Sequence, residues 1–127
     1  MNVITTDLAD TVASIISERD LGYALADFVD RFKFVPDLAL VEREPALLRD
    51  ALNDDGLADA YLAATAAWLC HQHGLKVPIW AEGNSRALAQ PYIAAKTANL
   101  RALLIQESPP EFRVRNVFVS ANALSRA

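Results

Sequence analysis

The 127 residues are enough for one domain with one core, and an apolar content of 53% excludes a disordered chain. Much of that content is alanine and leucine, which favours packed helices over sheets, and no apolar run reaches the roughly 18–20 residues that cross a bilayer. The net charge of −4 is divided unevenly, because residues 1–60 hold 13 Asp/Glu against 5 Lys/Arg and residues 61–127 hold 3 against 7.

In chain order, Thr5 or Thr6 is placed to cap a first helix in which Leu8, Val12, Ile15 and Ile16 recur at helical spacing up to Ser17. Asp20 is placed to cap a second, with Leu21, Leu25, Phe28, Val29 and Phe32 as its apolar stripe and Asp27, Asp30, Arg31 and Lys33 opposite. The short connection between them predicts an antiparallel helical hairpin. The second helix is acidic and apolar, which argues against a DNA-reading helix-turn-helix. Residues 34–41 contain Pro36 and read as a connector across the core. Pro45 suits the first turn of a third helix with Leu47, Leu48, Ala51 and Leu52 inward. Asn53-Asp54-Asp55-Gly56 ends it, and lacks the further oxygen ligands that would make it a calcium loop.

The longest helix is expected over 57–73, its alanines allowing neighbours to approach closely at the centre of the bundle. Gly74 follows as a left-handed C-cap, Val77-Pro78 is extended, and Ile79 and Trp80 fold back onto the core. Asn84 or Ser85 starts a short helix, Tyr92-Ile93 returns as an apolar anchor, and a helix over 96–106 turns Leu100, Leu103 and Leu104 inward. Ser108-Pro109-Pro110-Glu111 has the pattern of a capping box opening a short helix through Arg115. Val117-Phe118-Val119 reads as a brief extended segment, and residues 122–124 as a last turn.

The candidate chemistry is sparse. Cys70 and His73 share a helical face and could form half of a metal site, but no other cysteine or histidine completes it besides His71. No arginine lies a few residues before His71 as in small helical ribonucleases, and no phosphate-cradling glycine loop, GxSxG elbow or HExxH pair is present. No cofactor is implied. Scattered Lys/Arg disfavour nucleic-acid binding by the whole chain; only Arg113 and Arg115 are locally dense, either pairing with acidic N-terminal helices or forming an anion-binding corner. The single cysteine and the absence of a basic, apolar leader around Asp7 and Asp10 lead to the expectation of a cytoplasmic protein.

The stretch His73-Gly74-Leu75-Lys76-Val77-Pro78-Ile79-Trp80, the pair Pro91-Tyr92, and Glu107 through Ala127 resemble a segment of uncharacterised small bacterial proteins. The same segment is similar to the C-terminal part of some bacterial helix-turn-helix regulators, and the resemblance covers a little over half of the chain. It implies an accessory domain in regulation, including regulation of the toxin–antitoxin kind.

The expectation is a single all-α domain over 1–127, an irregular bundle of five to seven helices. Its expected function is a non-enzymatic protein-interaction or regulatory module, engaging a protein partner or a second copy of itself. The alternative is a small enzyme or ligand-binding domain whose pocket gathers Trp68, His71, Trp80, Tyr92 and Arg113, with Arg115 beside them. A deep pocket converging those side chains would favour the alternative, and a flat apolar patch with a polar rim the interaction module.

Overall fold

The computed structural model describes residues 6–13, 15–121 and 123–124, and they form an irregular all-α bundle. Helix α1 (Leu8–Val12) is capped by Asp7, whose carboxylate accepts from the Asp10 amide at 2.8 Å. Thr6 instead offers its carbonyl to Arg31, and Thr5 lies outside the described residues. The helix stops well short of Ser17, so Ile16 is exposed rather than inward. Ser17, not Asp20, caps α2 (Glu18–Phe34) by accepting from the Asp20 amide. The expected stripe Leu21, Leu25, Phe28, Val29 and Phe32 is buried, and α1 packs on α2.

The connector carries one 3-10 turn, Leu38–Leu40, and lays Leu40 and Val41 into the core, but Phe34 ends α2 and both it and Val35 are exposed, contrary to the expectation for 34–41 as a whole. The third helix is shorter than its sequence pattern: α3 spans only Arg49–Leu52, Leu48 is buried, and Leu47 and Ala51 are exposed. Two side chains account for the difference. The Pro45 carbonyl, which would accept from the amide of residue 49 in a helix, is taken by Arg86, and the Leu48 amide is bound by the Asp59 carboxylate at 2.7 Å. Asn53, Asp55 and Gly56 then adopt positive φ, and Asp54 caps the next helix by accepting from the Gly56 and Ala58 amides.

Helix α4 (Leu57–Gln72) is buried on nearly every side, including Ala58, Ala60, Leu62 to Ala67, Leu69 and Cys70. It packs against α2, α3, two 3-10 turns and the C-terminal segments Pro110–Arg113 and Val117–Phe118, which makes it the central element the alanine content predicts. Gly74 at φ 68° closes it, with the Leu75 amide donating back to the Cys70 carbonyl as in a Schellman motif. The turns Ile79–Glu82 and Asn84–Arg86 follow; Trp80 folds onto the core, whereas Ile79 is 86% exposed, contrary to expectation.

Strand β1 (Tyr92–Ile93) pairs in parallel with β2 (Val117–Phe118), and between them lie α5 (Ala98–Glu107) and α6 (Pro110–Arg113). Thr97 caps α5 by accepting from the Leu100 amide. Of its apolar residues only Leu104 is buried; Leu100 and Leu103 are exposed, which overturns the inward assignment. The capping box is also absent. The Ser108 hydroxyl lies 2.8 Å from the Leu104 and Val119 carbonyls and accepts from the Val119 amide, so it pins the chain after β2 to the end of α5. Phe112 is fully buried, its ring edge-on to Tyr61. Ala123 and Leu124 form the expected last turn, while Asn122 lies outside the described residues.

Candidate protein-docking groove

Along α2 the positions Glu18, Leu21, Gly22, Leu25, Ala26 and Val29 follow helical spacing and form one wall of a cavity of about 280 Å³. The facing wall is Asp54, Leu57, Ala58 and Tyr61 at the start of α4, with Ala123 and Leu124 completing it. Its origin is local and chemical. Gly22, Ala26, Ala58 and Ala123 stand where larger side chains would close the contact, and a Cβ at Gly22 would meet nothing within 4 Å.

Leu57, Tyr61 and Ala123 also line a second cavity of about 440 Å³, which continues to Tyr92, Ala94, Leu100, Leu104, Val119 and Ser120. The two are lobes of one trough, apolar along its floor and open to solvent. Tyr61 sits between the lobes, and burial pushes its phenol above the usual pKa of 10.0. Among the described lining residues the ionisable side chains are Glu18 and Asp54 in the first lobe, Tyr61 in both and Tyr92 in the second.

The residues expected to form a pocket are dispersed. Tyr92 lines the second lobe. Trp68 lies beside Lys33, 5.5 Å from the ammonium to the ring centroid. Trp80 stacks on the Arg86 guanidinium at 4.9 Å and donates from Nε1 to the Val41 carbonyl at 2.8 Å. Arg113 donates to the Gln106 and Ser108 carbonyls, both at 2.9 Å, and so closes the C-terminal end of α5. Arg115 is buried and donates to the Ala81 and Glu111 carbonyls, and desolvation lowers its pKa despite the nearby charges of Glu82 and Glu111. Neither arginine pairs with an acidic residue of the N-terminal helices, and the two do not form a shared corner.

His71 and Arg115 do meet, in a cleft of about 160 Å³ with Ala67, Val77, Glu82, Pro110, Glu111 and Val114. There His71 Nδ1 lies 2.6 Å from Glu111 Oε2, an arrangement that fixes the imidazole, but no serine, threonine or cysteine lines the cleft to act as nucleophile. Among the described residues no group of three His, Cys, Asp or Glu could hold a metal. Cys70 is buried, which raises its thiol pKa, and the His73 ring packs against Phe32 instead.

One cluster has no counterpart in the sequence reading. Asp59 and Arg86 are both fully buried, with Arg86 Nη1 3.7 Å from Asp59 Oδ1. Arg49 Nε donates to Asp59 Oδ2 at 2.9 Å, and Arg86 Nη2 donates to Glu44 at 3.0 Å. These four residues lock α3, α4 and the Asn84–Arg86 turn together and so hold the α4 wall of the trough. Arg86, from the basic half, pairs with Asp59 and Glu44 of the acidic half, whereas the bridges of Arg31, Arg43 and Arg49 join residues within the acidic half.

No helix among the described residues is long and apolar enough to cross a membrane. No protein-family model, curated protein or solved structure matches the chain.

Proposed function

We propose that the chain is a protein-interaction module whose trough takes an apolar helix flanked by basic residues. The observation that carries this reading is the trough itself: two apolar lobes adjoining at Leu57, Tyr61 and Ala123, lined also by Leu21, Leu25 and Leu104, with the carboxylates Glu18 and Asp54 in the lining of the first. A helix presenting apolar side chains three and four residues apart fills such a trough, and basic flanks meet the two carboxylates. Dispersal of the tryptophans and arginines away from a common cavity leaves the interaction reading favoured over a small enzyme. A regulatory role fits a module of this kind, because regulation by docking needs a surface and no catalytic group.

The test is affinity capture of the tagged protein from its native cells, with Gly22→Arg beside the wild type. Position 22 has room for the side chain, and Glu18 four residues earlier supports an arginine there, so the fold is retained. The expected result is a stoichiometric protein, foreign or a second copy of the chain, that is lost with Gly22→Arg at an unchanged melting temperature. Retention of the same protein by the variant, or recovery of the tagged chain alone, would overturn the reading.

A further inference from the structure

Helix α5 reads Ala98-Asn99-Leu100-Arg101-Ala102-Leu103-Leu104-Ile105-Gln106-Glu107, and its apolar residues point to every side. Asn99, Arg101, Gln106 and Glu107 are interleaved with them, so the helix has no single polar face. Here only Leu104 is buried, Leu100 lines the second lobe of the trough, and Leu103 and Ile105 are 49% and 46% exposed. Helical spacing sets Ile105 beside an outward ridge formed by the exposed Ala98 and Ala102, and the exposed Asn99 and Gln106 lie between that ridge and Leu103. Lys96 precedes the helix, and Arg101 lies one turn into it with Nη1 donating to the Ala95 carbonyl at 3.4 Å; both are exposed.

We infer that the trough's occupant is α5 of a second copy of this chain, docked into the lobe between α2 and α4. The inference rests on the reading of the trough as a docking surface and names the partner. The dimensions agree: ten helical residues span about 15 Å, and the wall from Glu18 to Val29 rises about 16 Å. The charges agree as well. Lys96 and Arg101 of one copy meet Glu18 and Asp54 of the other, within a chain whose first 60 residues carry −8 and whose remainder carries +4. Because the first lobe and the outward ridge of α5 are different surfaces, the contact is head-to-tail and builds a ring or a chain of copies.

A head-to-tail contact has a signature in mixing experiments, read by sedimentation equilibrium on the purified full-length chain at low salt. Gly22→Arg blocks the lobe, and the double variant Arg101→Glu with Leu103→Glu disables the ridge at exposed positions. The expected result is a wild-type mass that rises with concentration, a monomer mass for each variant alone, and a one-to-one heterodimer when the two are mixed. The mixture pairs because one variant keeps an intact ridge and the other an intact lobe. A wild type that stays monomeric at every concentration overturns the inference and leaves the docking surface standing for a foreign helix. Association that survives the ridge variant but not Gly22→Arg overturns the role of α5 alone. Association that survives Gly22→Arg overturns both readings.

Discussion

Replacing Asp59 by Asn should be among the most costly single changes in this protein. The carboxylate is fully buried, accepts from the Leu48 amide at 2.7 Å and from Arg49 Nε at 2.9 Å, and faces Arg86, which is itself fully buried. The substitution keeps the shape and removes the charge. Arg86 is left with Glu44, whose side chain is 52% exposed, as its carboxylate partner. Removing one partner of a buried ion pair costs about 3–5 kcal/mol, and the surviving Glu44 contact places the expected loss near the lower end of that range. Against the roughly 5–15 kcal/mol by which domains are stable, this is a large fraction. Glu44→Gln acts on the more exposed side of the same cluster and should cost about 1 kcal/mol or less. Urea unfolding followed by tryptophan fluorescence reads both, since Trp80 stacks directly on Arg86. A loss below about 1 kcal/mol for Asp59→Asn, or an equal loss for Glu44→Gln, would refute the burial argument.

Other positions give independent checks. Ser108→Ala should cost about 1–3 kcal/mol in the same unfolding assay, because it leaves the buried Val119 amide without its acceptor. Gly22→Ala should stabilise by about 0.5–1 kcal/mol, since the position is helical, exposed and sterically open; a destabilisation would place a neighbour where the trough is drawn. Partial burial works against the Asp7 carboxylate, but hydrogen bonds from Arg43 and the Asp10 amide outweigh it and hold its pKa below the ordinary 3.8. Its contribution to stability is therefore present above that value and is lost as pH falls through the lower folded one. Asp7→Asn should flatten the acid limb of the stability profile below about pH 4, and an unchanged limb would show that the Arg43 contact does not form in solution.

Much of the fold was legible because the strongest signals were local. The stripe of α2, the alanine-rich α4, Gly74 and the extended residues 117–119 depend on short-range periodicity and backbone preference, which the sequence displays directly. The failures share a cause in contacts distant along the chain. Helix α3 is cut short because Asp59 and Arg86 claim the Leu48 amide and the Pro45 carbonyl, and nothing near Pro45 announces those partners. Ser108 has the pattern of a cap yet bonds to Val119, eleven residues on. Helix α5 was misread for a different reason: leucines at helical spacing show that an apolar face exists, not that this chain covers it. Of the six residues expected at a site, Tyr92 reaches the trough, the tryptophans and arginines are spent on packing and on carbonyls at helix ends and turns, and His71 is held by Glu111. The trough was signalled by what is small, Gly22 and Ala26 beside the leucines of α2, and a search for reactive side chains passes over such positions. Asp59 gave a clearer signal, a lone carboxylate inside an otherwise apolar helix.

The central claim is that the lobe between α2 and α4 holds protein in the cell, and photo-crosslinking from position 22 tests it most directly. A benzophenone-bearing residue at Gly22 faces into the lobe, and the same residue at exposed Gln72, about 16 Å along α4 from Tyr61, serves as control. One discrete protein adduct is expected from position 22, at the mass of a second copy if α5 is the occupant, and none of that size from position 72. No adduct from position 22, or the same adducts from both positions, would contradict it.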